Sequence, residues 1–184
     1  MADWFNIAVW SLIGTWILVV GTLLLMYWQT RTSQRLNSAN AVMALRERFD
    51  SLHMRAARRH LSQRLLAQAH DDISSVEVVT FFELVGTLTH RGLLDAELVW
   101  EAFGSWIVAY YWAVRHPTDL VGKIRSDLKD PLLFHEFEWL HGRVVSIDAH
   151  RELASPSDVV NEASVRRILE LESRLSDLSA APAE

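Results

Sequence analysis

WFNIAVWSLIGTWILVVGTLLLMYW, residues 4–28, contains no charged side chain. As an α-helix rising about 1.5 Å per residue it reaches roughly 37 Å, more than the roughly 30 Å of a bilayer's hydrocarbon core. The stretch therefore reads as a membrane-spanning helix, and the rest of the chain as a domain tied to a membrane surface. Met1-Ala2-Asp3 lacks the basic start of a cleaved secretory signal, and Met26-Tyr27-Trp28-Gln29 is too bulky for its cleavage site. Trp4, Trp10, Trp16, Tyr27 and Trp28 are the expected anchoring residues, with Trp4, Tyr27 and Trp28 at the ends, where amphipathic rings favour the headgroup level. Ser11, Gly14, Thr15, Leu18, Gly21 and Thr22 fall on one helical face. Gly14 and Gly21 would let a second helix, such as that of another copy, approach closely.

Charge sets the orientation. Residues 31–64 carry eight arginines against Glu47 and Asp50, whereas residues 65–184 carry ten basic and twenty acidic side chains. Positive flanks stay on the inner side of a membrane, so the expected arrangement has the N-terminus outside and the domain in the cytoplasm, as a single-pass inner-membrane protein. The absence of cysteine fits a reducing compartment. Arg31, Arg35, Arg46, Arg48, Arg55, Arg58 and Arg59 are the residues expected to meet anionic lipid head groups. The acidic domain below them disfavours nucleic acid as a partner.

The remainder reads as an all-α protein, one N-terminal transmembrane helix followed by a small cytoplasmic helical bundle. The expected organisation is an anchor at 1–30, a basic juxtamembrane helix at 31–70, a bundle at 71–154, and a C-terminal amphipathic helix with a tail at 155–184. In the basic segment, Val42, Leu45, Phe49, Leu52 and Ala56 form an apolar stripe. Ser74-Ser75-Val76-Glu77 is a capping-box pattern that starts a helix near Ser75. Gly92 ends that helix and Asp95 caps the next, making a hairpin. Its second arm, from Ala102 to Val114, is apolar almost all round and includes Trp106, Tyr110, Tyr111 and Trp112. Such a helix forms a core, and the same four aromatics are the candidates for a docking surface. Asp119 caps a short helix, and Asp130-Pro131 reads as the start of a longer one that lies against the hairpin. Ile168, Leu171, Leu175 and Leu178 keep a heptad-like spacing that serves either packing on the bundle or self-association.

Phe81-Phe82-Glu83, Gly86, Gly92, Asp95, Tyr111-Trp112, Arg125 and Phe134-His135-Glu136-Phe137-Glu138-Trp139-Leu140 carry a likeness. On these residues the chain resembles a bacterial family of membrane-anchored helical proteins whose function is unassigned. The resemblance implies a fold and no activity, and it covers residues 75–142 together with the anchor.

Chemistry has few candidates. Glu138-Trp139-Leu140-His141 places a carboxylate and an imidazole at the Glu-x-x-His spacing of di-metal bundles, and Asp50-Ser51-Leu52-His53 echoes it weakly, with Glu83 and Glu101 on intervening helices. Di-metal sites use two such pairs, so Glu138, His141 and Glu83 are minor metal candidates. Glu83 otherwise lies on a polar stripe with Thr80, Thr87 and His90 that faces solvent, or faces inward and pairs with Arg125. No phosphate-cradling glycine loop or serine elbow occurs. The expectation is a non-catalytic membrane protein without a cofactor, a scaffold or accessory subunit that binds another protein. A di-metal enzyme and an anionic-lipid sensor are the alternatives.

Overall fold

The computed structural model describes residues 2–67, 76–116, 119–151 and 162–178; within these, the side chains of 2–19, 30–32, 34 and 175–178 lie outside the description. Among the described residues there are seven α-helices and no strand: α1 (Ala2–Phe49), α2 (Leu52–Leu66), α3 (Val76–His90), α4 (Ala96–Arg115), α5 (Leu120–Leu128), α6 (His135–His150) and α7 (Glu162–Leu178). The chain divides into two units, Met1–Ser38 and Ala39–Glu184. No helix break falls at residues 30 and 31, and the segment from Ala39 on belongs to the larger unit.

In the first unit, Trp4, Trp10, Gly14 and Trp16 lie outside the described side chains. Among the described residues no helix is long and apolar enough to cross a membrane. Val20, Leu23, Leu24, Leu25, Met26, Tyr27 and Trp28 are each between 50 and 70 % exposed, and no neighbour lies within 4 Å of a Cβ built on Gly21.

The larger unit is a helical bundle around an aromatic core. Phe49, from the end of α1, is fully buried and lies 5.2 Å from Phe81, 5.6 Å from both Phe82 and Phe103, and 5.5 Å from Trp106, measured between ring centroids. All four pairs are tilted or edge-on, the geometry in which ring quadrupoles attract, and each adds about 1 kcal/mol beyond the area it buries. α6 packs against both arms of the α3–α4 hairpin, and α7 packs against α2 and α4. Gly92 sits at φ +70, where a Cβ would be strained, and Asp95 accepts from the amides of Glu97 and Leu98.

Two local expectations are corrected, and a third is seen only in part. The apolar stripe of the basic segment does not continue past Phe49, because the helix breaks at Asp50 and Ser51 caps a new one by accepting from Met54 N. Register restarts there, so Leu52 is 76 % exposed while Met54, Arg58 and Leu61 turn inward. Asp130 does not cap α6. It accepts from Leu132 N in a turn, and α6 begins at His135 after Phe134, a buried residue at φ 61. In α7 the buried face is Val165, Leu169 and Glu172, while Leu171 is exposed and the side chains of Leu175 and Leu178 lie outside the description.

Candidate functional site

The residues that carry the sequence's most distinctive pattern meet at the crossing of α3 and α6. Phe82 stacks on Phe137 with centroids 5.4 Å apart and planes 14° from parallel. One position along, the Glu83 carboxylate accepts from Phe137 N at 2.7 Å and Glu136 N at 3.3 Å. These amides belong to the first turn of α6, which has no intrahelical partner for them and no side-chain cap of its own. A carboxylate there satisfies both donors and complements the helix dipole. Gly86 completes the crossing. A Cβ at that position would lie 2.3 Å from the Glu136 carbonyl oxygen, so only glycine lets the two backbones come this close. Burial pushes the Glu83 carboxyl above its usual range, while the two amide bonds pull the other way.

Glu83 thus faces α6 rather than solvent, and its partner is backbone rather than Arg125. Arg125 instead donates from Nε to the Leu133 carbonyl at 2.7 Å and from Nη2 to Glu138 at 3.2 Å. Arg115 reaches the other oxygen of Glu138 at 3.3 Å, and Tyr111 OH donates to that oxygen at 3.4 Å. Partial burial would raise the Glu138 carboxyl, but the two guanidiniums hold it below the usual range. His141 stacks on Tyr111, centroids 4.0 Å apart, and burial depresses its pKa to about 4, so the ring is neutral at pH 7. Glu83, Glu138 and His141 therefore do not converge. Among the described residues no group of three or more His, Cys, Asp or Glu is placed to hold a metal ion.

A second polar cluster lies where α7 crosses α2 and α4, and sequence reasoning missed it. Arg58, assigned there to lipid head groups, is 2 % exposed, with its guanidinium 4.0 Å above the Phe49 ring. Its Nη1 donates to Glu172 at 3.3 Å, and Trp106 Nε1 donates to the same carboxylate oxygen at 3.1 Å. Asp50 is 3.8 Å away, and Arg58 Nε makes no hydrogen bond. Tyr110, 1 % exposed, lies with its hydroxyl 3.5 Å from Ser62 Oγ, and burial raises its pKa. Tyr110 is therefore core, not docking surface, whereas Trp106, Tyr111 and Trp112 are partly buried at the core's edge. Arg46 is also drawn inward, over the Trp106 ring at 4.7 Å and onto the Ala102 carbonyl. Arg35, Arg48 and Arg55 remain exposed, Arg59 is half-buried, and the side chain of Arg31 lies outside the description.

A cleft of about 420 Å³ opens between α4, α6 and α7. Trp100, Gly104, Val108, Val145, Val165 and Ile168 make it mainly apolar. The one carboxylate facing it from α6, Asp148, accepts from Trp100 Nε1, whose ring carries Arg151 at 4.4 Å. The cleft can hold an apolar group, and its charged rim is already paired.

A family model described as a domain of unknown function (DUF4760) matches residues 6–144. The match takes in the α3–α6 crossing and ends inside α6, ahead of α7. No curated protein and no solved structure matches the chain.

Proposed function

The chain belongs to the DUF4760 family, and we propose on the strength of its own residues that it is a non-catalytic single-pass membrane protein. In this reading it is a scaffold or accessory subunit that binds another protein at the cytoplasmic face of a bacterial inner membrane. The observation that carries the reading is the exposure of Val20, Leu23, Leu24, Leu25, Met26, Tyr27 and Trp28. At 100° per residue these side chains surround the helix, so one packed face cannot cover them and a solvent on every side must. Lipid is that solvent, and the uncharged run from Trp4 supplies the remaining length. The exposed Arg35, Arg48 and Arg55 follow the run, and positive residues beside a span favour the inner side, which supports this orientation. They also offer an anionic surface about 1 kcal/mol each, a supporting attachment rather than a sensor. Glu83, Glu138 and His141 support a binding role because each is engaged in holding helices together.

Fractionation of cells making the full chain with a C-terminal tag tests this. The protein is expected in the carbonate-resistant membrane fraction, with the tag protected from external protease and a stoichiometric protein partner after mild detergent extraction. Recovery in the soluble fraction, or a tag cleaved from outside, overturns it.

A further inference from the structure

α7 fills a groove whose walls belong to other helices. Arg58 and Ser62 come from α2, and Trp106 and Tyr110 from α4, all within the segment that the family model matches. The occupant, α7, lies beyond that segment. The matched segment of this chain therefore builds a groove with a buried cation in its floor; its own Asp50 comes no nearer to that cation than 3.8 Å, and the hydrogen-bonded anion comes from outside the segment.

The fit between groove and occupant is incomplete. A guanidinium and a carboxylate pair best through two parallel hydrogen bonds, commonly using Nε together with a terminal nitrogen. Glu172 takes only one hydrogen bond from Arg58, at Nη1, and leaves Nε, in a residue 2 % exposed, without an acceptor. Val165 and Leu169 fill the apolar part, so the contact motif is two apolar residues and an acid at spacings of four and three along one helical face. Among the other described side chains of α7, Ser164, Ile168 and Ser173 are half-buried, and Arg166, Arg167, Glu170, Leu171 and Arg174 are exposed.

We propose that this groove is a docking site for an amphipathic helix of a partner protein, one that presents an acidic side chain to Arg58, and that α7 is its displaceable occupant in the same chain. A partner carboxylate that reaches Nε as well as Nη makes the bond that Glu172 leaves unmade, which gives it the advantage needed to displace a tethered helix. The proposal rests on the protein-binding reading above and names the chemistry of the partner.

Exchange is measured on the full chain in detergent, so the result does not depend on membrane insertion. The probe is a fluorescent peptide of residues 162–178, followed by anisotropy against the unaltered chain and against Glu172→Gln. The expected result is binding at least tenfold tighter to Glu172→Gln than to the unaltered chain, and at least tenfold weaker for a peptide carrying Glu172→Gln itself. In a second arm a protease site is placed between residues 152 and 161 and cut after folding, which leaves every docking residue intact. The cut α7 is expected to exchange with labelled peptide within hours. Peptide that binds neither chain, binding indifferent to position 172, or a cut α7 that stays in place would each overturn the proposal. Failure here leaves the membrane fractionation result standing, and failure of fractionation leaves exchange standing.

Discussion

Glu83 on α3 and Glu172 on α7 both turn a carboxylate away from water, and the bundle satisfies them in different ways. Glu83 meets two backbone amides that have nowhere else to go, so its bonds carry no second desolvated charge. Glu172 meets a buried guanidinium, and both ions lose their hydration for one hydrogen bond between them and one from the Trp106 indole. The first arrangement is a joint that stabilises simply by being closed. The second is close to balanced, because water can take back what the pair gives up. α3 and α6 should then behave as one block, and α7 as a part that opens without it.

The sharpest way to break the comparison is Gly86→Ala. In an ordinary helix this change stabilises by up to about 1 kcal/mol. Here the new Cβ would lie 2.3 Å from backbone oxygen and 2.7 Å from the carbonyl carbon of Glu136, and backbone cannot move aside as a side-chain tip can. Separating the helices would also loosen the Phe82–Phe137 stack and the Glu83 cap. A loss of about 3 kcal/mol is expected, seen as one cooperative shift of the denaturation midpoint of the detergent-solubilised chain. A neutral or stabilising result would mean that the crossing is not close.

Arg58→Ala comes next. Removing one partner of a buried ion pair in a closed core costs about 3–5 kcal/mol. If α7 can swing out and hydrate Glu172, the loss is capped near the docking free energy, and about 2 kcal/mol is expected. Hydrogen exchange distinguishes the cases. Amides of α7 should lose protection while those of α3 and α6 keep theirs, whereas a uniform loss would make α7 an integral part of the core.

How much of this could be read in advance depends on whether a residue's partner is near in sequence. The caps at Asp95 and Asp119, the turn at Gly92 and the core character of α4 are local chemistry, and the structure has them where spacing places them. The start of α6 was not readable, because its cap arrives from Glu83, more than fifty residues earlier. Asp130-Pro131 imitates a helix start and makes a turn instead. Arg58 is expected to face outward because charge ordinarily faces water, and only its pairing with Glu172, 114 positions away, reverses that. The same holds at Glu-x-x-His, whose spacing fixes Glu138 and His141 on one helix but says nothing about Arg115, Arg125 or Tyr111, the residues that engage them.

Glu83→Gln sharpens the comparison from the other side. The amide oxygen can still accept from one α6 donor, but the new NH₂ is turned toward the other α6 amide, which loses its acceptor. About 1 kcal/mol is expected, rising to about 2 kcal/mol for Glu83→Ala, which leaves both amides unpartnered. Either loss should appear in α3 and α6 together. If only the first turn of α6 frays, the cap is a local device and the two helices are not one block.

The smallest effect is a matter of protons. His141 titrates near pH 4 when folded, against an ordinary value of 6.5. Between those values the unfolded chain holds a proton that the folded chain refuses, so its contribution to stability is complete above pH 6.5 and is lost as pH falls toward 4. Because the ring is partly exposed, the loss amounts to about 1 kcal/mol rather than the full value of the shift. Glu83 works in the opposite sense. Its carboxyl is raised by burial, so the stability it contributes is fully present below its unfolded pKa, 4.5, and is lost as pH rises through its raised folded value. His141→Phe keeps a ring against Tyr111 and removes the imidazole, so the loss of stability as pH falls from 6.5 to 4 should shrink, leaving the opposite trend from Glu83. An unchanged slope would show that His141 takes up its proton in the folded bundle, which requires water to reach the α4–α6 contact and makes that joint as open as the one at α7.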